Sequence, residues 1–184
     1  VILEIYGPAK VATEQLEDEV GHGGRFVDMT ETADEKHLKG WNNQTPAFTT
    51  QTADGCHPDQ QVQEFGPGLR GNCLYNDLGI AEATGGQFRA HIIKWNQEQL
   101  KKDRKANVKP TTGMHRHHYD FHFNYVLKGS TSFVIDGVEG VITCKAGDSY
   151  FLPSRCLHNE IEASDDIVIL EIYGPAKVAT EQLE

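Results

Sequence analysis

Cysteine is scarce in this chain and follows no pattern. Cys56, Cys73, Cys144 and Cys156 show no CxxC spacing, which fits free thiols in a reducing cytoplasm better than a disulfide framework. Basic residues are short as well. Lys and Arg number 17 against 27 Asp and Glu, for a net charge of −10 and a pI near 5.3. That balance excludes a nucleic-acid binder, which needs basic surface to neutralise phosphates. The single basic cluster, Lys101, Lys102, Arg104 and Lys105, reads as a solvated loop. No apolar run approaches membrane-spanning length and no secretory signal opens the chain, so no membrane partner and a cytoplasmic location are expected. With 184 residues, 38% of them hydrophobic, the chain can build one compact domain with an extension.

Histidine is what the chain has in concentration. Four of its nine fall between positions 115 and 122, just before the apolar run Tyr125-Val126-Leu127 and Gly129. His115 and His117 are two apart, so on an extended segment both imidazoles leave one face. A second stretch, Gly147 to Asn159, brings His158 up behind the turn at Pro153. Imidazoles from two strands of one barrel can converge on a point, and a transition metal favours such nitrogen donors. His118 has the opposite parity to His117 and should point away, and Cys156 reads as an inert thiol. Asp120 is placed either at the surface or behind a ligand imidazole.

These two stretches resemble the two cupin motifs. Gly113, His115, His117, His122 and Gly129 stand in the places of the first, and Gly147, Pro153, His158 and Asn159 in those of the second. Two positions depart from the pattern. His122 replaces the usual Glu, and Arg155 stands where the second motif usually has Gly. From Leu74 onward the chain is similar to the small single-domain cupins of the RmlC-like superfamily. The resemblance implies an all-β fold, an antiparallel β-barrel or double-stranded β-helix (jelly roll). It also implies one divalent transition metal (Fe, Ni, Mn, Cu or Zn) held by His115, His117, His122 and His158, with His122 assigned by its place in the motif alone.

Residues 1–17 recur without a change at 168–184. Diverged repeats rarely stay identical, so an ancient duplication is not the natural explanation. Residues 1–28 read as the tail of one copy, with Met29 as the start of the next. The copy at 168–184 is expected to occupy a barrel slot beside the strand that follows His158, and the other to pair at an edge or with a second subunit. Residues 29–67 are polar and rich in Gly, Thr, Gln and Asp, an irregular arm around the barrel or a homodimer partner. The barrel spans 68–184. Within it, Gln87–Trp95 alternates, with Arg89, His91 and Ile93 on one face, either lining a pocket or half-exposed. A hairpin is expected around Asp136-Gly137.

Four neutral imidazoles would leave both charges of a divalent ion uncompensated, which favours an anionic or enolisable small molecule. Phe121, Phe123, Tyr125, Phe133, Tyr150 and Phe151 are expected to supply an apolar wall, with Arg89, His91 and Tyr125 as substrate contacts. The resemblance implies a metal-dependent oxidoreductase of the dioxygenase type. A non-oxidative isomerase or lyase, or a ligand-binding module without turnover, stands as the alternative.

Overall fold

The computed structural model describes residues 51–52, 61–62, 65–109 and 111–183; the N-terminal copy of the repeat lies outside them. Two short strands, β1 (Gln51–Thr52) and β2 (Gln61–Val62), pair in parallel. The remaining strands are β3 (Gly66–Pro67), β4 (Cys73–Asp77), β5 (Arg89–Trp95), β6 (His115–His117), β7 (Phe121–Lys128), β8 (Ser130–Ile135), β9 (Ile142–Lys145), β10 (Ser149–Phe151), β11 (His158–Ala163), β12 (Val168–Gly174) and β13 (Thr180–Gln182). They form a six-stranded sheet in the order β10-β7-β12-β5-β4-β3 and a five-stranded sheet in the order β13-β6-β11-β8-β9, antiparallel throughout. This is the expected jelly roll. Two helices interrupt it, α1 (Ile80–Ala83) and α2 (Gln97–Lys105).

The Lys-rich stretch is helical because Asn96 caps it. Its side chain accepts from the backbone N–H groups of Glu98 and Gln99, at 3.1 and 3.3 Å. Lys102, Arg104 and Lys105 in the last turn suit the negative end of the helix, and Leu100 is buried. The Asp136-Gly137 hairpin joins β8 to β9 in the expected antiparallel register.

One placement differs from expectation. β12 does not lie beside β11; it runs between β5 and β7 in the opposite sheet, while β11 pairs with β6 and β8. Burial explains the crossing. Ile167 and Ile169 enter a core formed with Trp95, Val126 and Phe133, which draws on both sheets.

Register then arranges the inner face of β5, β12 and β7 in rows. Ile93, Ile169 and Val126 lie side by side, followed by His91, Glu171 and Asn124, and then by Arg89, Tyr173 and His122. The face therefore grades along the strands from an apolar end, where Val126 is fully buried, to a polar end. The core occupies the first and the candidate site the second.

Gly129 closes β7 with a φ of 74°, and a Cβ there would overlap Ser164 Oγ. The Gly129→Ala variant combines left-handed strain with a clash against the turn that launches β12, so it should lose about 2–4 kcal/mol of stability in chemical denaturation.

Candidate metal centre and cavity

His115 and His117 project from β6 and His158 from the start of β11. The two strands pair with His158 opposite His115. One ring nitrogen of each lies within 4.8 Å of the others, and the three residues are only 2–6% exposed. The opposite nitrogens are tied outward. His115 Nδ1 donates to the Gly113 carbonyl at 2.8 Å and His158 Nδ1 to the Cys156 carbonyl at 2.9 Å. His117 Nδ1 bonds Thr180 Oγ1 on β13 at 2.8 Å. An imidazole that gives its Nδ1 proton to a carbonyl keeps a bare lone pair on Nε2, the tautomer a metal ligand needs. Gly113 helps by taking a φ of 69°, at a point where a Cβ would strike Gln182.

Electrostatics favour neutral rings. Burial, followed by repulsion from its neighbouring imidazoles, pushes His117 down from 6.5 to about 3. Burial also lowers His158 to about 4, against the opposing pull of its bond to Cys156. His115 is lowered as well, by burial first. Three neutral, inward-facing imidazoles fit a first-row transition ion.

His122 is buried near this group, its ring 5.6 Å from that of His117, but it is not part of the cluster. Its Nε2 lies 2.7 Å from Glu171 Oε1, and the other carboxylate oxygen of Glu171 takes His91 Nε2. Asn124 Nδ2 also approaches His122 Nε2, at 3.1 Å. That nitrogen cannot both accept from the amide and donate to the carboxylate, and the shorter, charged contact prevails. Burial works to raise the Glu171 carboxyl, but the bonds from His122 and His91 outweigh it and hold it well below the usual carboxylate range. The expectation of uncompensated charge is therefore corrected, since this buried carboxylate supplies a negative charge.

A cavity of about 300 Å³ adjoins the cluster, lined in part by Arg70, Tyr119, His122, His158 and Glu171. Arg89 and His91 also line it, so their strand face points inward. Tyr125 does not line it. On β7 the inward residues are His122, Asn124 and Val126, and period two sends Phe121, Phe123 and Tyr125 to the other side. The expected apolar wall is corrected accordingly. Tyr150 borders the cavity and Phe133 lies in the core, whereas Phe151 is half-exposed. His118 is exposed and faces Glu181, and Asp120 is exposed. Arg155 adopts the glycine-like φ of 60° at the departure from the second motif, at a cost of about 1 kcal/mol.

Sequence reasoning passed over Glu171, Tyr119, Thr180 and Arg70. An acid inside the apolar strand Val168–Tyr173, with the parity of Ile169, was a usable signal for Glu171. Arg70 sits in a loop and Thr180 on a short edge strand, where periodicity carries no information.

Residues 105–173 match the family model for the cupin domain, and the chain carries a cupin domain. Similar solved structures include the polyketide cyclase RemF from Streptomyces resistomycificus, at 17% identity over 61% of this chain and 72% of that one, TM-score 0.46. An RmlC-like cupin from Shewanella frigidimarina matches at 19% over 62% and 86%, TM-score 0.45. The DMSP lyase DddQ from Ruegeria pomeroyi matches at 16% over 53% and 43%, TM-score 0.41. A comparison with curated proteins finds no match. No helix among the described residues is long and apolar enough to cross a membrane.

Alanine at His115, His117 or His158 should lower metal affinity by about 100-fold or more, whereas His122→Gln should stay within about tenfold. Elemental analysis of the purified variants measures this. The metal-free protein should also be sensitive to acid. The lowered imidazoles bind protons in the unfolded chain first, so stability is complete above pH 6.5. It should then fall as pH drops toward about 4, and a series of thermal melts across that range tests the sign.

Proposed function

We propose that this cupin is a metal-dependent oxidoreductase of the dioxygenase type, acting on a small anionic or enolisable organic molecule. The observation that carries the reading is the buried cluster of three neutral imidazoles opening onto a cavity of about 300 Å³. His115, His117 and His158 would hold the ion, with His122 as a further ligand if it releases Glu171. An Fe, Ni, Mn, Cu or Zn ion there would supply Lewis acidity, and the redox-active members of that set would supply one-electron chemistry.

The chain's own residues supply orientation and exclusion of water. His91 and Arg89 border the cavity away from the cluster and are proposed to contact the substrate. Arg89 Nε is buried and finds no hydrogen-bond acceptor among the described residues; Asp77 Oδ2 is 3.6 Å away. Tyr119, buried against His117 and His122, fills the space beside the cluster and limits water there.

A second reading is favoured by Glu171. A carboxylate held ionised between two cavity-lining imidazoles fixes how those rings face a bound molecule without any redox step, which suits a non-oxidative isomerase or lyase.

Oxygen-electrode assays of the Fe(II)-loaded protein with 1,3-diketones, catechols, flavonols and 2-oxo acids separate the two. Oxygen uptake coupled to loss of one compound is the expected result. Conversion without uptake moves the protein to the second reading. Tight binding without conversion of any compound makes it a binding module.

A further inference from the structure

The cavity extends well beyond the histidine cluster. Ile93 and Trp95 on β5, Ile167 and Ile169 at the start of β12, and Thr131 and Ala163 from the facing sheet also line it. Along β5 and β12 the inward side chains carry no charge until His91 and Glu171 are reached. Trp95 stands four residues beyond His91, about 13 Å along an extended strand. One end of the cavity is therefore walled by hydrocarbon.

The polar atoms at that end are already committed. Trp95 gives its indole N–H to the Ser164 carbonyl at 2.9 Å. Thr131 Oγ1 gives its proton to the Glu162 carbonyl at 3.4 Å. Ala163 lies opposite Thr131 in the β11–β8 register, so both side chains point the same way. Lys94 has the outward parity of β5 and is held over the Phe65 ring, 3.7 Å from its centroid. A hydrogen-bonding group would find few free partners here.

The wall is also incompletely covered. Trp95, Ile167 and Ile169 are buried, whereas Ile93 and Ala163 point inward and keep part of their surface uncovered. Apolar surface of this kind favours a hydrocarbon group in proportion to the area the group covers. A molecule confined to the cluster would leave that surface wet.

We propose that this apolar end is a second subsite, and that the substrate is amphipathic. Its oxygen donors face the histidine cluster, and a hydrocarbon substituent of several carbons lies against Ile93, Trp95 and Ile169. This rests on the metal-dependent reading above and narrows its substrate to compounds that carry such a substituent. The site thereby regains an apolar wall, on β5 and β12 instead of β7.

Titration calorimetry of the zinc-loaded wild-type, A163L and I93T proteins tests the subsite, with metal content measured first on each. Zinc has no redox chemistry, so it does not oxidise the probes. The probes are pentane-2,4-dione, hexane-2,4-dione, heptane-2,4-dione and octane-2,4-dione, which share one head and differ in tail. Wild-type affinity should rise about fourfold per methylene, a ratio of about 60 from the shortest to the longest. A163L fills the subsite, and its ratio should shrink below about five. I93T sets a hydroxyl into the wall, and its ratio should fall between the two. If A163L does not fold, I93T decides the matter. A wild-type ratio near one, or a ratio that every folded variant keeps in full, would overturn the subsite. A wild-type protein that takes up no zinc, or binds no diketone, sinks the metal-dependent reading instead. Butan-1-ol and hexan-1-ol binding to the metal-free proteins then scores the subsite alone. Tighter binding of the longer alcohol that the folded variants lose supports it, and any other result overturns it.

Discussion

A buried carboxylate needs partners, and meeting that need sets the register of the larger sheet. Glu171 sits on the inner face of β12, where an unpaired negative charge would be strongly disfavoured. The flanking strands supply the answer, His91 from β5 and His122 from β7. A slip of one residue would turn Glu171 outward and point Leu170 or Ile172 at those imidazoles. The apolar row of Ile93, Ile169 and Val126 would be lost in the same movement. One hydrogen-bond network and one hydrophobic row thus enforce the same alignment.

The five-stranded sheet meets a different demand, the orientation of three rings. Each ring is steered by a group from a separate stretch: the Gly113 turn, the Cys156 turn and Thr180 on β13. Because two of those groups are backbone carbonyls, the tautomers of His115 and His158 are set by chain geometry and survive most side-chain changes nearby. His117 depends on a hydroxyl, and so on the edge strand that carries it.

Much of this was legible in the sequence. The HxH spacing places two rings on one face because strand parity leaves no other outcome, and the Pro153 turn brings His158 to the same end. The alternation of Arg89, His91 and Ile93 also held, and their face lines the cavity. What failed did so for identifiable reasons. Tyr125 belongs to a row with Phe121 and Phe123 whose parity is opposite to that of His122, so the expected wall was drawn on the face of β7 that turns away from the histidine. The position of β12 depends on which sheet needs Ile167 and Ile169, a question of packing between distant strands that local pattern does not answer. Arg155 marks the opposite case, where a motif position kept its left-handed backbone with a residue poorly suited to it.

The repeated segment bears on how this site can be studied. Residues 168–184 carry Glu171, Tyr173 and Thr180, so the copy at residues 1–17 carries the same side chains as Glu4, Tyr6 and Thr13. In genetic terms the acid and the hydroxyl are each encoded twice, while the cluster histidines, Arg70 and His91 are each encoded once. A substitution at position 171 therefore leaves an unaltered duplicate in the same polypeptide, whereas one at His158 has none behind it. Paired alleles at positions 4 and 171 would distinguish a dispensable carboxylate from one that its duplicate replaces.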